Sequence, residues 1–128
     1  MTQEKSHAQP AVLVVEDEPL LRFHAVDLLE ESGFLVAEAA NAEAALDMME
    51  SRGDVGVLFT DIQMPGRIDG MELARQVHER WPDVLLIITS GQKRPTCAEI
   101  PNDGRFVAKP YRGEDLVRQV TDLMDSRA

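Results

Sequence analysis

Five short apolar runs recur along the chain, AVLVVE (11–16), FLVAEAA (34–40), VGVLFT (55–60), VLLIIT (84–89) and RFVAK (105–109), with turns or stretches of helical periodicity between them. Apolar runs of this length, bounded by turn signals, read as buried strands. The alternation constrains the fold more than any other property of the chain. VGVLFT and VLLIIT are apolar almost throughout, the mark of strands covered on both faces. Strands that alternate with helices through short connections form a parallel sheet, because right-handed crossovers lay helices over both faces. The expected fold is therefore α/β, a doubly wound five-stranded parallel sheet.

The helices have their own signals. Pro19 suits the first turn of a helix reaching to about Ser32, with Leu21, Ala25, Leu28 and Leu29 on one face and Gly33 as a left-handed stop. Asn41 can cap a helix over 42–51 whose apolar members include Ala45, Leu46 and Met49. Asp69 and Glu72 have capping-box spacing ahead of a helix that Pro82 ends. Leu116, Val117, Val120, Leu123 and Met124 mark a last amphipathic helix to about Asp125. The segment 90–104 holds two prolines and two glycines, so the fourth crossover is short or irregular, limited to about one turn near Thr96 to Ile100. The first ten residues form a flexible polar tail, and residues 11–128 form a single domain.

Net charge narrows the partners. At −10, a surface of 128 residues repels a phosphate backbone, which argues against nucleic-acid binding. The longest apolar stretches, Ala11 to Val15 and Val84 to Ile88, fall far short of the roughly 20 residues a membrane-spanning helix needs. No secretory signal opens the chain, and the one cysteine, Cys97, cannot form an internal disulfide, so the expected compartment is the reducing cytoplasm. His7, His24 and His78 show no zinc-ligand spacing.

In an open parallel sheet, functional groups gather beyond the carboxyl ends of the strands. Those ends carry Glu16 and Asp17, Asp61, Thr89 and Lys109. Carboxylates sharing one crevice repel by about 4 kcal/mol per pair at roughly 4 Å and an effective dielectric of about 20, so the cluster calls for cations. A hard divalent ion and one lysine supply them, and Mg²⁺ suits an open acidic pocket. The Thr89 hydroxyl and the Lys109 ammonium could then face phosphoryl oxygens. An aspartate can be the nucleophile in phosphoryl transfer, and Asp61 is the best-placed candidate.

The motifs VVEDE, LFTDIQMPG, IITSG and FVAKPY, in this order and spacing, resemble the receiver domain of bacterial two-component response regulators. The resemblance runs from residue 11 to about residue 125. It implies a flavodoxin-like receiver fold, with Asp61 as phosphoacceptor, Asp17 as directly coordinating carboxylate and Glu16 as its acidic neighbour. It also implies Mg²⁺ as cofactor, with the main-chain carbonyl of Gln63 as a further ligand. Thr89 matches the switch hydroxyl, Phe106 the switch aromatic and Lys109 the lysine, followed by a cis Pro110. The implied donor is a phosphohistidine on a histidine kinase or a histidine phosphotransfer protein. The implied result is a switched surface for a separate downstream protein, or a phosphate relay or sink.

Two departures accompany the match. GRIDG (66–70) carries one residue more than the commonest receiver loop, and 90–104 is shorter and less helical than the usual fourth helix. The chain ends at Ala128 and reads as a stand-alone receiver rather than a turnover enzyme. On the first helix, Leu20, Phe23 and His24 lie off the core-facing side and are candidates for docking the phosphodonor. Other readings stay open. Some metal-dependent phosphatases use a nucleophilic Asp after a parallel strand, with a second acid where this chain has Gln63. A flavodoxin-like flavin or nucleotide binder shares the fold but needs a phosphate loop or stacking aromatics. A degenerate receiver would keep the pocket without the reaction.

Overall fold

A computed structural model describes residues 10–92, 95 and 99–127. The elements in chain order are β1 (Ala11–Val15), α1 (Pro19–Glu31), β2 (Leu35–Ala39), α2 (Ala42–Ser51), β3 (Val55–Asp61), α3 (Gly70–Arg80), β4 (Leu85–Ser90), a 3₁₀ turn (Pro101–Asp103), β5 (Arg105–Ala108) and α4 (Gly113–Arg127). The five strands form one parallel sheet in the order β2-β1-β3-β4-β5. The doubly wound sheet expected from the alternation is present.

Alternation along each central strand divides the core into two layers. Leu13, Val15, Leu58, Leu86 and Ile88 pack with Met49, Leu73 and Val77 on the α2/α3 face. Val12, Val14, Phe59 and Ile87 pack with Ala25, Leu29, Leu116 and Val120 on the α1/α4 face. Both faces of β1, β3 and β4 are therefore covered, which explains their near-continuous apolar sequence. The strand order reverses between β1 and β3, and that reversal opens a crevice at the carboxyl edge of the sheet.

Caps set the helix starts. The Asn41 side chain accepts from the Ala44 amide at 2.8 Å, and that of Asp69 accepts from the Glu72 amide at 2.9 Å. Only half of the capping box forms, because the Glu72 carboxylate turns to Arg75 and Gln76 instead of reaching back. Gly33 takes φ +96°, the left-handed stop that a side chain would resist.

One expectation needs correction. Leu21 was expected on the buried face of α1, yet it is 44% exposed, and Ala25, Val26 and Leu29 make the seam. Leu21 instead borders a cleft shared with Lys109, Pro110 and Tyr111. In the fourth crossover, most of the turn expected near Thr96 to Ile100 lies outside the described residues, Glu99 there being part of a 3₁₀ segment, and a further 3₁₀ turn follows at Pro101–Asp103. Pro101 opens this turn, and Asn102 adopts φ 59°, a conformation asparagine tolerates better than most residues. Its amide donates to the carbonyls of Pro82 and Val84 at 3.1 and 2.9 Å. Thr96, Cys97, His7 and nearly all of the expected N-terminal tail lie outside the described residues.

Candidate phosphoacceptor site

The carboxyl edge brings together side chains far apart in sequence. Glu16 follows β1, Asp61 ends β3 and Lys109 follows β5. Glu16 and Asp61 are each 6% exposed, while Asp17 is half-buried. One carboxylate oxygen each from Glu16, Asp17 and Asp61 lies within 4.8 Å of the others. The Lys109 ammonium donates to Glu16 Oε1 at 2.9 Å and to Asp61 Oδ2 at 3.1 Å. With one ammonium against three carboxylates, an excess of negative charge remains.

Burial governs the electrostatics here. It pushes the Glu16 carboxyl above its ordinary range, and hydrogen bonds from Lys109 and the Glu18 amide offset this only in part. Partial burial alone would depress Lys109. The hydrogen bonds to Glu16 and Asp61 and their charges outweigh it and hold the ammonium above its usual value. Lys109 is thus a fixed cation.

Asp61 presents its two oxygens differently. Oδ2 is held by Lys109, whereas Oδ1 is buried and has no hydrogen-bond partner among the described residues. Thr89, 2% exposed, is its register partner on β4, and the Thr89 hydroxyl is also buried and unpartnered among the described residues. Buried polar atoms are normally satisfied, so two such oxygens side by side mark a place prepared for groups that arrive from outside.

Gln63 lines the same acidic pocket, a cavity of about 330 Å³ also bordered by Asp17, Gly91 and Lys109. Its side-chain Oε1 accepts from the Ser90 hydroxyl at 2.8 Å. Phe106 stands apart from the carboxylates, half-buried on the α2/α3 layer, with Ile88 as its register partner. Pro110 follows Lys109 through a cis bond, as the motif implied. Leu20 and Phe23 are 81% and 68% exposed. His24 borders an apolar cleft of about 460 Å³ that also reaches Leu21, Lys109 and Tyr111.

Some residues that shape the site carried no signal read at first. Ser90 ties the β3–α3 loop to β4 through Gln63, across 27 positions of sequence that leave no local pattern. Gly70 opens α3 so close to Asp61 that a Cβ there would collide with the Asp61 carbonyl oxygen. A glycine directly after a capping aspartate, where Ala would make the better helix, was the available clue. Tyr111 is half-buried, with its ring edge-on to Phe59 at 5.8 Å.

Comparison with known proteins agrees with this geometry. A family model described as the response regulator receiver domain matches residues 12–121. The sensor kinase CckA of Brucella abortus (strain 2308) is 33% identical over 120 residues, covering 91% of this chain and 13% of that protein. The response regulator receiver protein CpdR of the same organism is 29% identical over 116 residues, covering 88% of this chain and 95% of CpdR. The crystal structure of a response regulator receiver protein from Sinorhizobium medicae WSM419 superposes with a TM-score of 0.87 at 25% identity, covering 95% of this chain and 99% of that one. This chain therefore spans a small part of some curated relatives and nearly all of others. By motif order, sheet topology and family match, the chain belongs to the response regulator receiver domain family, the phosphoacceptor module of two-component signalling.

Proposed function

We propose that Asp61 takes a phosphoryl group from a phosphohistidine donor on a histidine kinase or a histidine phosphotransfer protein. The observation that carries this reading is the Asp61 carboxylate itself, one oxygen held by Lys109 and the other buried and unpartnered among the described residues. An Asp61 oxygen attacks phosphorus, the phosphorus–nitrogen bond of the donor breaks, and the imidazole leaves with the bonding pair. Lys109 neutralises charge on the incoming group while keeping Asp61 aimed. Thr89 offers its hydroxyl to a phosphoryl oxygen, and the resulting shift of β4 changes the room available to Phe106. The product is an acyl phosphate on the chain rather than a released compound, so the domain signals instead of turning over substrate.

The donor set fits Mg²⁺. Three clustered carboxylate oxygens and an orphaned buried acceptor are hard ligands with excess negative charge, as that ion prefers. Glu16, Asp17, Asp61 and the Gln63 carbonyl would hold it, and when bound it neutralises phosphoryl oxygens during transfer. Leu20, Phe23 and His24, beside the cleft that reaches Lys109, form the surface on which the donor docks. The charge of −10 favours protein partners over nucleic acid. Among the described residues, no helix is long and apolar enough to cross a membrane, and the compartment that suits a phosphohistidine donor is the cytoplasm.

Intact mass after incubation with acetyl phosphate and Mg²⁺ tests the reading. Wild type should gain about 80 Da, the mass of one phosphoryl group on a nucleophilic carboxylate, and Asp61→Asn should gain nothing. An equal gain in both proteins would put the acceptor elsewhere.

A further inference from the structure

We infer that Arg22 is a positioning residue for the acidic pair, fixing the peptide that aims Asp17 and Glu16 at the cation site. The inference rests on the reading that these acids hold Mg²⁺. The loop from Glu16 to Glu18 must turn the chain from β1 into α1 while presenting two carboxylates. The Glu16 amide is anchored to the Ala39 carbonyl at 3.1 Å, which fixes the loop where it leaves the strand. The Glu16 carboxylate is held by the Glu18 amide at 3.2 Å and by Lys109 at 2.9 Å. The peptide between Glu16 and Asp17 is the remaining variable.

Arg22 controls that peptide. One arm of its guanidinium donates to the Glu16 carbonyl at 2.9 Å, and its Nε donates to Glu38 Oε1 on β2, also at 2.9 Å. The side chain is 21% exposed, so the fork lies against the protein rather than waving in solvent. Asp17 makes no hydrogen bond of its own among the described residues, so its aim depends on the backbone beneath it. Rotating the Glu16–Asp17 peptide would swing the Asp17 side chain out of the cluster. Glu38 orients Arg22, Arg22 orients the peptide, and the peptide orients the ligand. Outer partners of this kind typically govern metal affinity by about 10- to 100-fold.

Charge and positioning predict opposite signs. If Arg22 acted only through its positive charge, removing it would tighten binding of a divalent cation. If it acts by positioning, removal weakens binding. Calorimetric titration of the full chain with MgCl₂ at fixed pH and ionic strength separates the two. Arg22→Gln should raise the Kd for Mg²⁺ about 10-fold or more. Arg22→Lys keeps the charge but loses the planar fork that serves two acceptors, and should recover only part of the affinity. Glu38→Leu leaves Arg22 in place without its orienting acceptor, and should weaken binding more than Glu38→Gln, which loses the same charge but keeps an acceptor oxygen, even if Arg22→Gln fails to fold. An unchanged or lower Kd in Arg22→Gln, the same Kd in Glu38→Leu and Glu38→Gln, or a lower melting temperature with unaltered Kd in every variant, would overturn the inference. No Mg²⁺ binding by wild type would overturn the underlying reading, and the inference with it.

Discussion

Asp61 and Thr89 stand opposite each other in the β3–β4 register, and each carries a buried oxygen with no partner among the described residues. A hydroxyl that makes no hydrogen bond can be lost at little cost to the fold, since replacing it by an apolar group of the same shape is nearly neutral. Thr89→Val should therefore leave the urea unfolding free energy within about 0.5 kcal/mol of wild type, or raise it. It should also remove the amide chemical-shift changes that acetyl phosphate induces along β4 and β5. A loss of more than about 1 kcal/mol would mean that the hydroxyl already has a partner in the unphosphorylated protein.

Removing the acceptor's charge should make the metal-free protein more stable. Asp61 shares Lys109 with Glu16, so an Asn at this position leaves the ammonium paired while relieving repulsion among three carboxylates. Burial and incomplete pairing reduce the raw Coulomb figure, and a gain of about 1 kcal/mol in metal-free buffer is expected for Asp61→Asn. The gain should shrink when Mg²⁺ is added, because the wild-type cluster then has its cation. Urea melts with and without Mg²⁺ check both halves.

The exposed face of α1 should matter only when the donor is a protein. Leu20 and Phe23 make no contribution to the core, so Leu20→Glu and Phe23→Glu should alter stability by no more than about 0.5 kcal/mol. Labelling by acetyl phosphate should proceed at the wild-type rate, while transfer from the cognate phosphohistidine protein slows about 10-fold or more, the penalty of losing a buried apolar anchor. Equal slowing with both donors would show that these residues act on the chemistry and not on docking.

Alkaline pH offers a reading of the apolar cleft. Tyr111 is the one tyrosine of the chain, so phenolate absorbance reports it alone. Burial pushes its hydroxyl up to about 12, with the charges of Glu16 and Asp61 adding to the rise and Lys109 opposing it. A folded-state value above the unfolded one means that this residue's contribution to stability is intact below about pH 10 and is lost as pH rises through about 12. Absorbance titration should give a midpoint well above 10 in the folded protein and near 10 in denaturant. Tyr111→Phe should flatten the alkaline limb of the stability curve.

The elements legible in sequence were those fixed by short-range pattern. Buried parallel strands must be apolar until they emerge from the sheet, so the first polar residue past each run marked its edge, and Glu16, Asp61, Thr89 and Lys109 are found there. Leu21 was misplaced because periodicity assigns a helix face but not which positions on it meet a neighbouring element and which border an open cleft. The turn at Pro101–Asp103 had no local signal because Asn102 enters the left-handed region, a choice secured by carbonyls of Pro82 and Val84 well upstream. The Ser90–Gln63 hydrogen bond and the reach of Arg22 from α1 to Glu38 join residues that only the folded sheet makes neighbours. No window of sequence contains them.

The close approach of Gly70 to Asp61 has a consequence for how the loop between them can change. The Gly70 amide donates to the Ile62 carbonyl at 2.9 Å, and the bare Cα of the glycine lets the helix rest on the acceptor's own backbone. These contacts close the β3–α3 loop at its base, so its two ends keep their separation whatever lies between. Beyond that base the loop arcs outward, with Gly66 at φ +117° and the Arg67 amide donating to Glu43. That arc is a natural insertion point. A short reporter peptide spliced between Gly66 and Ile68 would ride within reach of the phosphorylation chemistry while the geometry of the acceptor stayed anchored behind it.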